Sequence, residues 1–189
     1  MPVTGMGDVI DLSVHRNNAA CAFPAVDLFG GLDGFGRSYP AEELGGLAEL
    51  MGGLPEDWGR GADDNLECDG QEIVLADPVL AVGMGVLGAC CGGSFRDEIQ
   101  LVGSGGSDHG DRFTFALSDF LAVRPANGER LEVMCSTLRE HGRDVPGPRP
   151  RLWTSSAEFP DAVEIAALRL PVNPSVHLFG AWTIPAGRR

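Results

Sequence analysis

The pattern of apolar and polar positions is that of a β protein. Helical periodicity is almost absent, and short apolar or alternating runs recur between Gly, Pro, Asn and Asp clusters. The runs are "DVIDLSV" (8–14), "QEIVLA" (71–76), "VLAVGMGVLGA" (79–89), "DEIQLVG" (97–103), "RFTFALS" (112–118), "ERLEVMCS" (129–136), "AVEIAALRL" (162–170) and "SVHLFGAWTI" (175–184). "RFTFAL" alternates, as a strand with one wet face does. "VLAVGMGVLGA" is apolar throughout, as a central strand covered on both faces is. Eight such strands predict a single all-β domain over 1–189, an antiparallel β-sandwich of jelly-roll type. One short or irregular helix is expected at Pro40–Gly52, with proline at its start and acids in its first turn. The Gly45-Gly46 pair weakens it. Residues 15–70 form a long irregular stretch, too long for an idle connection and so a candidate for functional loops. "DVPGPRPR" (144–151) reads as a stiff, exposed connection.

The chain has 189 residues, 43% of them hydrophobic, enough for one core. Its net charge of −13 opposes nucleic acid and anionic membranes, since binding to phosphate requires cations. Lysine is absent and every basic residue other than histidine is arginine. That excludes Schiff-base chemistry and a phosphate-loop lysine, and it fits a GC-rich genome. Cys21, Cys68, Cys90, Cys91 and Cys135 make an odd count without a CxxC pair. Buried free thiols and a reducing compartment are expected. "MPVTGMGDVIDLSV" has neither the basic start nor the long apolar core of a signal peptide. A cytoplasmic location is therefore the expectation.

"VIDLSVHRNN", "LDGFGRSYPAEEL", "DDNLECDGQEIVL" and "NPSVHLFGAWTI" occur in this order along the chain. In order and spacing they resemble the galactose-binding-like, carbohydrate-binding-module-like β-sandwich domains appended to actinobacterial glycoside hydrolases. In those modules the first stretch reads D-L-x-x-x-x-N-N-D-G, the second D-F-D-G-G-G-x-S-Y-P-A and the last N-x-H-x-F-A-x-T-L. Here Ala19-Ala20 replaces the Asp-Gly after Asn17-Asn18, and Gly31 replaces the second acid of the glycine-rich motif. The resemblance implies a sandwich with ligand-holding loops at one mouth.

Four groups carry candidate chemistry. Asp33 can accept from hydroxyls, Arg37 can fork onto an anion or diol, and Tyr39 can stack or donate. The structural alternative is a glycine-rich turn whose tyrosine plugs the core. His15, Asn17 and Asn18 follow a strand and suit sugar hydroxyls; the alternative is an asparagine turn. Asp108, His109 and Asp111 in "SDHGD" (107–111) sit where solvated turn residues gather, with no EF-hand spacing. His177 is either a core histidine bonded to backbone or, on a pocket-lining face, a general acid/base together with Asp33. No nucleophile-elbow, dinucleotide or zinc-protease motif is complete, so neither a cofactor nor a metal is expected. "GMGVLGA" (83–89) matches the dinucleotide spacing but lies inside an apolar strand run.

Two functions follow. One is binding of a saccharide or other polyhydroxylated small molecule in a loop-lined mouth. The other is a cofactor-independent cyclase, isomerase or lyase of natural-product biosynthesis, an analogy at fold level. It would use an apolar pocket walled by "CAFPAVDLFGG" (21–31). That stretch serves equally as a core plug or a homodimer contact.

Overall fold

A computed structural model describes residues 7–106 and 110–186. The protein is an antiparallel β-sandwich with one short helix. The large sheet contains β1 (Val9–Ile10), β4 (Leu66–Asp69), β5 (Glu72–Cys90), β6 (Phe95–Val102), β7 (Arg112–Leu117), β8 (Arg130–Met134), β11 (Arg151–Arg169) and β12 (Val172–Pro185). Its order is β1-β12-β5-β11-β6-β7, with β4 also on β12 and β8 also on β11. The small sheet runs β10-β9-β3-β2, from β2 (Cys21–Ala22), β3 (Arg37–Pro40), β9 (Leu138–Glu140) and β10 (Arg143–Val145). Its pairs are antiparallel except β2 with β3.

Sequence periodicity splits β5 at Asp77-Pro78, whereas the strand runs unbroken for 19 residues. The break is absorbed by a register shift. β5 pairs with β11 through Val79↔Ile165 and resumes at Val74↔Ala167. Pro78 therefore falls where the ladder asks for no N–H donor. Pro160 of β11 sits in a second shift, between Glu158 and Val163. The helix is shorter than its acid-rich start suggests. α1 covers Ala41–Leu44 behind Pro40 and tightens into a 3₁₀ turn at Gly45–Leu47, as the glycine pair dictates. The expected strand at 8–14 shrinks to β1, followed by a 3₁₀ turn at Ser13–His15. Within the irregular 15–70 stretch lie β2, β3 and β4, too short to show a period.

One core joins the layers. Tyr39 of the small sheet meets Phe179 of β12 edge-to-face, with ring centres 5.6 Å apart. Trp153 and Trp182 are fully buried. The glycines that mimic a dinucleotide motif have a packing role. Trp182 lies opposite Gly85 across the β12–β5 ladder, and a Cβ on Gly85 would stand 2.3 Å from its indole ring. On β12, a Cβ at Gly180 would stand 2.0 Å from the Leu50 carbonyl oxygen. Arg139 of β9, itself buried, grips both carboxylate oxygens of Glu42, Asp144 and the Ala22 carbonyl, and so pins α1 to the small sheet.

Gly180→Ala pushes a methyl group into backbone, which cannot retreat like a side chain, so a loss of about 1–3 kcal/mol is expected. Gly30→Ala, which meets nothing within 4 Å, should shift stability by no more than about 0.5 kcal/mol. Urea unfolding of the two variants tests the contrast; equal midpoints would show that the Leu50 strap yields freely.

Candidate functional site

The glycine-rich loop is held by its own residues. Asp33 Oδ1 accepts from the Phe35 amide at 3.0 Å, and Oδ2 lies 2.5 Å from Arg37 Nε. The Asp33 side chain is 4% exposed. The Arg37 guanidinium lies over the rings of Phe35 and Phe120, at 5.6 and 5.7 Å. Gly31 adopts φ +59° with its Cα face against the Arg37 carbonyl, a place that only glycine fills without strain. Asp33 and Arg37 thus form one internal pair that fixes the turn. Tyr39 lies beneath it, wholly buried, its hydroxyl donating to the Arg151 carbonyl at 2.9 Å. Ring and hydroxyl are both engaged in the core, the arrangement of the core-plug alternative.

The Asn pair is also committed. Asn17 copies a strand neighbour, accepting from the Glu67 amide at 2.7 Å and donating to its carbonyl at 3.1 Å. Asn18 donates to the Gly31 carbonyl at 3.0 Å and accepts from Asn65 at 2.8 Å. Residues 17–18 and the glycine-rich loop therefore touch directly. Between them opens a cleft of about 330 Å³, lined by Asn17, Asn18, Asp27, Phe29, Gly31 and Asp63 among others. Phe29 is 97% exposed at its edge. His15 ends its 3₁₀ turn half-buried and does not line this cleft, nor do Asp33 and Arg37. The "CAFPAVDLFGG" stretch sends Cys21, Ala22 and Leu28 into the core and leaves Phe29 outside.

His177 is the centre of a buried polar network. Asn65 donates its amide hydrogens among three acceptors: the Asn18 carbonyl, Asn18 Oδ1 and Asp64 Oδ1, at 2.8–3.0 Å. That fixes the carboxamide's orientation, so Asn65 Oδ1 faces His177 Nδ1 at 2.9 Å and must accept from it. The proton therefore sits on Nδ1, and Nε2 is the bare nitrogen. Nε2 looks at Cys91 Sγ, 3.6 Å away. Burial pushes the His177 pKa down to about 4, against the pull of the Asp33 carboxylate, so the ring is neutral at pH 7. Asp64, wholly buried, also accepts from the Ala20 and Cys21 amides at 3.1 and 2.8 Å. Desolvation still pushes its pKa up to about 6. Burial likewise raises the Cys91 thiol, and Asp33 and Asp119 raise it further.

The structure thus brings Asn18 and His177 into one network through Asn65. It keeps His15 and Tyr39 apart from the cleft. Asp108 and His109 lie outside the described residues; Asp111 lines a separate small hollow beside Arg112 and Phe159. Among the described residues no group of three or more His, Cys, Asp or Glu side chains is placed to hold a metal. All five cysteines are free thiols, and four are buried. Among the described residues no helix is long and apolar enough to cross a membrane. Asn65, Asp64 and Cys91 were not singled out from sequence as site residues. Asp64 and Asn65 lie in the "DDNLECDGQEIVL" stretch, where a pair of polar residues is set directly against the apolar-alternating "LEC" of β4.

Asp64 and His177 titrate in opposite senses. The raised pKa of Asp64 gives stability that is full below pH 3.8 and lost as pH rises through 6. The depressed pKa of His177 gives stability present above pH 6.5 and lost as pH falls through 4. Each is worth about 3 kcal/mol, so together they nearly cancel between pH 4 and 6. His177→Gln removes one side of the balance. The variant should be less stable than the native protein at pH 7 and regain about 3 kcal/mol relative to it by pH 4. Chemical denaturation across that range checks this; a constant difference would show that His177 titrates as an exposed histidine does.

No protein-family model matches the chain, and no curated protein matches it either.

Proposed function

We propose that this is a small-molecule-binding protein whose ligand is a saccharide or similar polyhydroxylated compound. One observation carries the reading: the cleft where the two N-terminal loops meet sets the exposed Phe29 ring beside the Asp27 and Asp63 carboxylates. An aromatic face takes the C–H face of a sugar ring, and carboxylates accept from its hydroxyls. Loops positioned by a sandwich are a usual place for such a mouth. The resemblance to carbohydrate-binding sandwiches supports the same ligand class. The cleft suits one or two sugar units rather than a polymer, since an extended platform needs a row of exposed rings.

The asparagines act indirectly in this reading. With Asn17 on the Glu67 backbone and Asn18 on Gly31 and Asn65, they build the wall and leave Phe29, Asp27 and Asp63 to meet the ligand. Asp27 also lies 3.0 Å from the exposed His141 ring, which orients its carboxylate.

Thermal-shift screening with a panel of neutral mono- and disaccharides, followed by calorimetry on any sugar that raises the melting point, tests the reading. Phe29→Ala and Asp63→Asn should each weaken binding by roughly tenfold or more, as expected for loss of a stacking face or a hydrogen bond to a charged group. Both side chains are exposed, so melting of the free protein should barely move. Asp33→Ala should do the reverse, lowering the melting point because the turn loses its internal pair. Unchanged affinity in both cleft variants would place the sugar elsewhere.

A further inference from the structure

We propose that Cys91 is a nucleophilic thiol for acyl transfer, with His177 as its general base and Asn65 as the positioning residue behind the imidazole. This site is linked to the sugar cleft through the bonds of Asn65 to Asn18, but the proposal does not rest on the sugar reading.

Three different elements supply the groups. Cys91 follows directly on β5, His177 lies within β12 and Asn65 stands immediately before β4. The chain order is Asn, Cys, His, so nothing in the local sequence announces the array. The register of β12 on both neighbours creates it. His177 pairs with Ala89 of β5 on one side and with Glu67 of β4 on the other. That places its ring between the end of one strand and the approach to the other. The distances are 3.6 Å from sulfur to Nε2 and 2.9 Å from Nδ1 to Asn65 Oδ1. The tautomer is the productive one. A base must present a bare nitrogen to the nucleophile and hold its proton on the far side, and Asn65 enforces both. Among the five cysteines, Cys21, Cys68, Cys90 and Cys135 are buried, while Cys91 is half-buried. Cys91 is thus the one cysteine that is not fully buried, and the base beside it is wholly buried.

The surroundings determine how the pair works. The charges of Asp33 from the glycine-rich loop, Asp119 from the loop after β7 and Glu67 from β4 all act on the Cys91 thiol, and Arg37 is paired to Asp33. The Cys91 amide donates to the Ser175 carbonyl of β12 at 2.9 Å, which fixes the backbone that carries the thiol. This acidic setting holds the thiol protonated, and burial holds the imidazole neutral. The resting pair is accordingly S–H···N rather than thiolate–imidazolium. The proton moves only as sulfur attacks, as in a serine–histidine pair. With an activated ester or thioester, a bond forms between sulfur and the acyl carbon. The S–H proton passes to Nε2, the carbon–leaving-group bond breaks, and the leaving alkoxide or thiolate takes that proton. The product is an S-acyl cysteine. Water attacks its carbonyl carbon next and gives a proton to Nε2; the carbon–sulfur bond breaks, the departing sulfur takes that proton, and the free acid and the thiol are released.

p-Nitrophenyl acetate is a suitable probe. The expected result is a burst of one equivalent of p-nitrophenolate, with the acetyl group located on Cys91 by peptide mass spectrometry. A general base already neutral at pH 6 makes the acylation rate level from pH 6 to 8, whereas an unassisted thiolate would give a tenfold rise per pH unit. Cys91→Ala should abolish the burst, and His177→Gln should slow it by at least about a hundredfold. The pH profile and peptide map of the native protein stand even if a variant fails to fold. Acetyl found on no cysteine or on another one, or a log-linear rate rise with pH, would overturn the proposal.

Discussion

The Asn65 carboxamide is the interaction on which the N-terminal half depends. It is buried beside a buried carboxylate and a buried imidazole, none of which survives in a dry interior without partners. Its amide hydrogens answer Asn18 and Asp64, and its oxygen answers His177. Through these bonds the irregular segment carrying residues 17–22 is tied to β12 of the large sheet. Through Asn18 the same network reaches the Gly31 carbonyl. A loop region that would otherwise float over the sandwich is thereby given a fixed position, and the walls of the cleft with it.

A second constraint acts from the opposite side. The large sheet presents glycines where other elements must come close: Gly85 under the Trp182 indole and Gly180 under the Leu50 carbonyl. Close approach of Leu50 and Met51 brings the segment after α1 onto β12, and Arg16 caps the Met51 and Gly53 carbonyls from the other direction. Together with Arg139 holding Glu42, these contacts settle a run of short elements that have little helical or strand propensity of their own. The site chemistry follows from the same burial. The imidazole is kept neutral because it is dry, and dry because the loops close over it.

The all-β class, the positions of most long strands and the weakness of the single helix were legible in the sequence, because alternation, β-branched content and glycine–proline punctuation are local properties. Local patterns also showed that residues 15–70 were unlike the rest. They failed at Asp77-Pro78, where the proline reads as a break but a register shift on β11 absorbs it. They failed again at β2, β9 and β10, which are two or three residues long and exist because a partner strand is there.

Residue chemistry alone marked out Asp33, Arg37, Tyr39, Asn17, Asn18 and His177 as polar or aromatic groups in unusual settings, and that much the sequence determined. Which of them face solvent was decided only by the tertiary structure. Tyr39 turned inward because a cross-sheet contact with Phe179 is worth more than exposure. Asp33 turned onto Arg37 because four residues of glycine-rich chain bring the two charges together. Phe29, Asp27 and Asp63 became a cleft, and Cys91, His177 and Asn65 an array, because strand register sets neighbours that lie dozens of residues apart in the chain. No local pattern encodes such pairs; long-range pairing in the folded sheet creates them.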